Sequence, residues 1–262
     1  MTHVTPRTPT GKPRYDRDLL LRGAKRDAVL QLWEVQRYGT DSYGEEDYVS
    51  IFGLRPAEWY AQGIRLLGRT AVECTRDDLA DAIGADVAAT ASLADGSGVI
   101  VIDPFTGSGN TLHAILRHLA HATGIGFELD DAVFGLTRQN LSILGLPIEV
   151  LHADYASGLG SVKVADDDLV IAFLAPPWGD ALDTSRGLDL RHTSPPMHEI
   201  VDLLIEQFAN RLLFAIQVYE RLDAGSLAEL ESRFDWSRLR IYELNAPGNN
   251  HGILLATTRW AP

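Results

Sequence analysis

The chain has 262 residues, 45% of them hydrophobic and 23% charged, with a formal net charge of −13 and a single cysteine. That length suffices for one large domain, or for a catalytic domain with a helical extension, around a sizeable core; the lone Cys74 excludes an internal disulfide. No apolar run reaches the roughly 18 residues that a membrane span needs, and Met1 to Pro13 lacks the apolar centre of a signal peptide, so a soluble, cytoplasmic protein with no membrane partner is expected.

The charge is unevenly placed. Residues 1 to 40 carry 8 Lys+Arg against 4 Asp+Glu, leaving 15 against 32 for the remainder, a net −17. Lys and Arg supply most sequence-independent affinity for a phosphate backbone, so this acidic body argues against nucleic acid and for a small-molecule substrate.

In chain order, residues 1–14 are rich in Pro and Thr without an apolar period, which predicts a mobile tail. From Asp16 to Tyr38, Leu19, Leu20, Val29, Leu30, Leu32, Trp33 and Val35 recur at helical spacing and predict one or two helices. A further helix is expected over 56–67. In "CTRDDLADAIGADVAATA", Thr75 followed by Asp78 resembles a capping box. Together these segments form a helical N-terminal extension over 15–95.

From residue 96 to 262 the pattern changes to short apolar runs separated by helix-length segments: "VIVIDPF", "TGIGFEL", "PIEVLHA", "DLVIAFLAPP", "RLLFAIQV", "RLRIYEL" and "GILLATTRW". Runs apolar on both faces and joined by helices predict an α/β fold with a mostly parallel, seven-stranded sheet that binds ligands at the carboxyl ends of its strands. Val99 to Ile102 reads as the first strand and 111–122 as the helix after it.

Between them, "DPFTGSGN" gives up its side chains. Gly107 and Gly109 remove Cβ atoms where a ligand would touch main chain, and the next helix start offers free N–H groups; a structural turn is the alternative. Glu128 ends the next strand, about 20 residues on, where a nucleoside-binding α/β fold places an acid against a ribose diol. Asp154 follows at similar spacing. Each acid alone also reads as a solvated strand end. The loop has neither the P-loop lysine nor a third dinucleotide glycine, which points to a nucleoside without phosphates.

Farther on, "FLAPPWGD" at 173–180 ends the fourth strand. With the glycine loop and strand-end acids, it makes the chain resemble the class I S-adenosylmethionine-dependent methyltransferases, whose Rossmann-like fold matches the expected sheet. Amino-group methyltransferases carry here a polar residue, two prolines and an aromatic; this chain has Ala175, Pro176, Pro177 and Trp178. Within that class it is most similar to the trimethylguanosine synthase family. Further resemblance lies in "LWEVQRY", "VECTRDDLADAIG", "GSGNT", "GLDLRHTSPPMHEIVDLL" and "NRLLFAIQVYE", and it covers roughly residues 30–262.

The resemblance implies S-adenosyl-L-methionine as cofactor. Asp103, Phe105, Gly107, Gly109 and Asn110 would hold its methionine end, Glu128 the ribose and Asp154 the adenine, with Thr75 closing the site. Ala175, Pro176, Pro177 and Trp178 would form the catalytic loop, Trp178 stacking on a planar substrate; as a core residue, Trp178 would instead only fill space. The first motif position is polar in the family and is Ala175 here. This suggests a nucleophile that needs less activation, or help from Asp180.

Asn249, Asn250 and His251 precede the last strand, in a loop that reads as either turn or substrate contact, and Asn250 is the residue singled out for substrate. His113, His118 and His121 do not fall on one helix face, and no metal site is expected. Cys74 reads as a small buried residue.

Three functions are therefore carried forward. The first is N-methyl transfer to an amino group or ring nitrogen of a planar small-molecule heterocycle, as in natural-product biosynthesis. The second is RNA cap guanine-N2 methylation. The third is an inactive cofactor-binding partner protein.

Overall fold

The computed structural model describes residues 14–94, 98–183, 185–243 and 251–262. Asn249, Asn250 and the tail up to residue 13 lie outside the described residues. Helices are α1 (Arg17–Leu21), α2 (Leu32–Tyr43), α3 (Pro56–Ala61), α4 (Gly68–Glu73), α5 (Asp77–Ala91), α6 (Asn110–His118), α7 (Asp131–Ile143), α8 (Tyr155–Gly158), α9 (Met197–Gln207) and α10 (Ala224–Glu231). Strands are β1 (Val99–Asp103), β2 (Thr123–Glu128), β3 (Glu149–His152), β4 (Leu169–Leu174), β5 (Leu182–Asp183), β6 (Gly187–Leu188), β7 (Arg211–Tyr219), β8 (Trp236–Tyr242) and β9 (His251–Thr258). The chain divides into two units: Met1–Asp77, Gly107–Asn110 and Asp130–Leu146 form the smaller, and the rest forms the larger.

In the smaller unit the helices are short and closed by local chemistry. The Glu34 carboxylate reaches back to the Gln31 N–H at 2.9 Å, and Gly44 ends α2 in a left-handed turn at φ +77. Pro56 starts α3, and Glu58 accepts from the Arg55 N–H at 2.8 Å. The buried Trp59 donates its indole N–H to the Val49 carbonyl at 2.9 Å. Asp130 caps α7 through the Ala132 and Val133 N–H groups, and the Asn140 amide bridges both backbone groups of Arg65.

Two local expectations are corrected here. The helix expected over 56–67 stops at Ala61, because the chain turns at Gly63 with φ +94. Val29 and Trp33 are exposed rather than part of an apolar face; Trp33 instead meets Tyr15 edge-on, with centroids 5.3 Å apart. Helix α5 begins at Asp77, two residues after Thr75.

In the larger unit all seven expected strands form one sheet, in the order β3-β2-β1-β4-β7-β9-β8. Every pairing from β3 to β7 is parallel, and β9 alone runs against its neighbours. Strand β4 is buried at all six positions, as a central parallel strand must be when both faces are covered. One face packs on a core around Ile102, Phe127, Val170, Phe214 and Ile200; the other packs on a core around Val101, Ile171, Ala215, Ile83 and Leu112. A Cβ at Gly84 of α5 would lie 2.8 Å from the Ala114 carbonyl oxygen of α6, so only glycine allows these helices to touch. Asp86 of α5 takes the Tyr242 hydroxyl at 2.6 Å and the Arg240 guanidinium, which ties the helix to β8. Helix α6 ends at His118, short of the expected residue 122, where His121 turns the chain with φ +62.

The mostly parallel, seven-stranded α/β sheet read from the apolar runs is the sheet observed, and its order with one reversed strand is Rossmann-like.

Candidate functional site

The larger unit brings Asp103, Phe105, Glu128, Asp154 and the loop 175–180 to the carboxyl ends of its parallel strands; Thr75, Gly107, Gly109 and Asn110 belong to the smaller unit. Asp103 ends β1 and is buried, and its Oδ1 accepts the Phe105 N–H at 3.0 Å. Burial pushes this carboxyl up to about 7 against an ordinary 3.8, the Phe105 N–H lowering it and the charge of Glu128 adding to the rise. A cation beside it would bring that value back down.

Thr106 sets the first bend of the loop. Its N–H donates to the Phe127 carbonyl at 3.0 Å and its hydroxyl to the Asp103 carbonyl at 3.1 Å. The hydroxyl lies where a Cβ on Gly126 would fall, 2.2 Å away, so the glycine in "GIGFE" is needed for the loop to lie down on β2. Nothing in the sequence singles out Thr106 or Gly126. The ring of Phe105 leans on Tyr155 at 5.2 Å and 56°. Glu128 is the last residue of β2, half-buried. Asp154 is exposed and caps α8, its Oδ1 accepting the Ala156 N–H at 2.9 Å.

Within the smaller unit, Gly107 and Gly109 adopt φ of +51 and +79, which side chains resist, so their conformation accounts for both glycines. The Thr137 hydroxyl holds the Gly107 carbonyl at 2.5 Å. The buried amide of Asn110 is shared among three groups: Oδ1 accepts from the Phe52 N–H at 2.6 Å, and Nδ2 donates to the Thr75 carbonyl at 2.8 Å and to Asp77 Oδ1 at 3.1 Å.

The motif loop leaves β4 with Ala175 half-buried, Pro176 buried and Pro177 exposed. Trp178 is half-buried, packed on one side against the core of the larger unit. Its indole stacks on His251 with centroids 5.5 Å apart at 24°, and Tyr219 stands edge-on to both, at 6.4 Å from Trp178 and 6.3 Å from His251. Gly179 follows with φ +51, and Asp180 is exposed in a single turn of 3-10 helix. His251 is the first residue of β9, rather than part of the loop before it. Sequence reasoning misses Tyr219, and only the pairing of β7 with β9 reveals it, because Tyr219 and His251 are register partners.

Among the described residues no cluster of His, Cys, Asp and Glu has the arrangement of a metal site. His118 instead meets Asp81 at 2.9 Å. Cys74 is half-buried rather than buried, and desolvation pushes its thiol up to about 12, away from the thiolate that a nucleophile needs. Among the described residues no helix is long and apolar enough to cross a membrane.

No family model matches the chain. It is 29% identical over 84 residues to a trimethylguanosine synthase of Schizosaccharomyces pombe; the match covers 30% of this chain and only 34% of that protein. Solved structures that resemble it include a candidate class I S-adenosylmethionine-dependent methyltransferase of Listeria monocytogenes, with TM-score 0.45 and 17% identity over 68% of this chain and 59% of that one. Precorrin-6Y C5,15-methyltransferase of Geobacter metallireducens has TM-score 0.47 and 13% identity, over 70% and 89% of the two chains. An S-adenosylmethionine-dependent O-methyltransferase of Thermotoga maritima has TM-score 0.45 and 14% identity, over 72% and 68%.

Proposed function

We propose that this protein is an S-adenosylmethionine-dependent N-methyltransferase acting on an amino group or ring nitrogen of a planar small-molecule heterocycle. One observation carries the reading: in the larger unit, Ala175-Pro176-Pro177-Trp178 leaves β4 at the strand ends that also bear Asp103, Glu128 and Asp154. The residues suit the cofactor, since a buried carboxyl held near 7 favours a cationic ligand, and Glu128 is the acid a ribose diol would use. Asp103 and Phe105 are assigned to the methionine end, Glu128 to the ribose and Asp154 to the adenine, with Gly107, Gly109, Asn110 and Thr75 assigned as the family resemblance implies.

When bound, S-adenosylmethionine supplies an electrophilic methyl on a sulfonium. The protein's part is to orient the nucleophile and surround the growing charge with acceptors. Trp178 offers a flat apolar surface for a heterocycle, and the carbonyls of Ala175 and Pro176 accept the hydrogens of its amine. Ala175 has no side chain to add a further acceptor, which suits a ring nitrogen or a free amine; Asp180 and Asn250 are assigned to the substrate's far side.

The likeness to trimethylguanosine synthase favours a second reading, RNA cap guanine-N2 methylation. The net −17 after residue 40 weighs against it, because a polyphosphate backbone is repelled. Filter binding to capped and uncapped RNA across a salt series separates the two. The small-molecule reading expects weak binding and no methylation of cap guanine. Tight binding with a steep salt slope, together with cap methylation, replaces it with the second.

A further inference from the structure

Trp178 sits on a loop, between a proline and a glycine with φ +51, and such a side chain loses rotamer freedom when it binds a flat ligand. Among the described residues, the two aromatic rings that stand against it do not come from a loop. Tyr219 and His251 are register partners on β7 and β9, two strands whose ladder runs unbroken from Leu212↔Thr258 to Tyr219↔His251. The imidazole lies against one face of the indole at 5.5 Å and 24°, while Tyr219 meets both rings edge-on at 70° and 90°. A face covered by a stacked ring is closed to a ligand. A flat ligand that stacks on the indole is therefore confined to the opposite face.

We infer that His251 is a positioning residue for substrate: it backs Trp178, fixes the plane of the indole in advance and restricts a flat substrate to the opposite face. The inference rests on the reading of Trp178 as a substrate platform and adds to it a rigid support and a side. What matters on this account is a flat ring at 251, so an aromatic replacement should serve and an aliphatic one should not. Offset stacking of this kind is lost entirely in His251→Ala and kept in His251→Phe.

The test uses 2-aminopurine riboside, a planar exocyclic amine whose fluorescence is quenched on stacking, titrated into the full chain saturated with S-adenosylhomocysteine. Thermal unfolding of each variant is measured alongside. His251→Ala is expected to weaken binding roughly fivefold, the scale of one aromatic pair, with a raised KM and little change in kcat for methyl transfer to the same probe, and His251→Phe to restore both. Unchanged affinity in His251→Ala overturns the inference. So does a His251→Phe variant as weak as the alanine one, which would assign the effect to the imidazole nitrogens. If the unsubstituted protein fails to bind the probe, or binds it equally with Trp178→Ala, the platform reading itself is overturned and this inference with it.

Discussion

Asn110 donates its side-chain N–H to the Thr75 carbonyl at 2.8 Å, so the first residue of α6 holds the segment just ahead of α5 through main chain and not through the Thr75 hydroxyl. The same amide receives the Phe52 N–H at 2.6 Å and donates to Asp77 at 3.1 Å. The family resemblance points Asn110 at a cofactor, yet its side chain is committed to the protein itself. What remains for a ligand is the second lone pair of Oδ1 and the backbone.

Asn110→Ala should therefore cost about 2–4 kcal/mol of stability, since it strands a buried N–H and a buried carbonyl together. Urea unfolding of this variant checks the figure, and a loss below about 1 kcal/mol would disprove the account.

Asp103, if it meets the cofactor as proposed, should make stability and cofactor affinity depend on pH in opposite directions. Its folded value of about 7 lies above the ordinary 3.8, so between about pH 4 and pH 7 the folded protein holds a proton that the unfolded chain has released. Stability without cofactor should then fall as pH rises through that window, by at most about 1.4 kcal/mol for each pH unit crossed, and level off above it. Asp103→Asn should flatten the slope. A cation bound beside the carboxyl favours its ionised form, so affinity for S-adenosylmethionine should rise from pH 5.5 to about 7; calorimetry across that range would show proton release on binding.

Glu128→Ala should weaken S-adenosylmethionine by about 1–3 kcal/mol, the scale of hydrogen bonds to a charged acceptor. Calorimetry at fixed pH measures it, and an unchanged affinity would remove Glu128 from the ribose role.

Trp178→Ala should abolish methyl transfer while thermal stability and cofactor affinity stay near those of the unsubstituted chain. The indole is half-buried on a loop that packs against the core, so its removal should open onto solvent rather than leave an enclosed cavity. A variant that unfolds would make Trp178 a core residue instead.

Much of the sheet was legible without coordinates because both faces of a parallel sheet are covered: "LVIAFL" of β4 must be apolar throughout, and such a run is unambiguous in sequence. The glycines at 107 and 109 and the acids at 103, 128 and 154 were legible for a related reason, since backbone conformation and strand ends are local properties. Helix ends were less so. Whether the chain stops at Ala61 or His118 depends on the turns at Gly63 and His121, which tertiary packing selects over local propensity.

Side-chain partners across the fold were decided only by tertiary structure. Nothing in "GNNHGILL" announces that His251 lies on Trp178, because that contact needs β7 and β9 to pair in one register, and a shift of one residue would turn His251 to the other face of the sheet. Nor could "GSGNT" reveal that Asn110 spends its amide on Phe52, Thr75 and Asp77, residues brought to it by chain packing alone. The sequence by itself determined the strands, the turns and the charge, which follow from burial and backbone conformation; the tertiary structure decided which of the legible residues are held by one another, because hydrogen-bond and stacking partners are chosen by position in space.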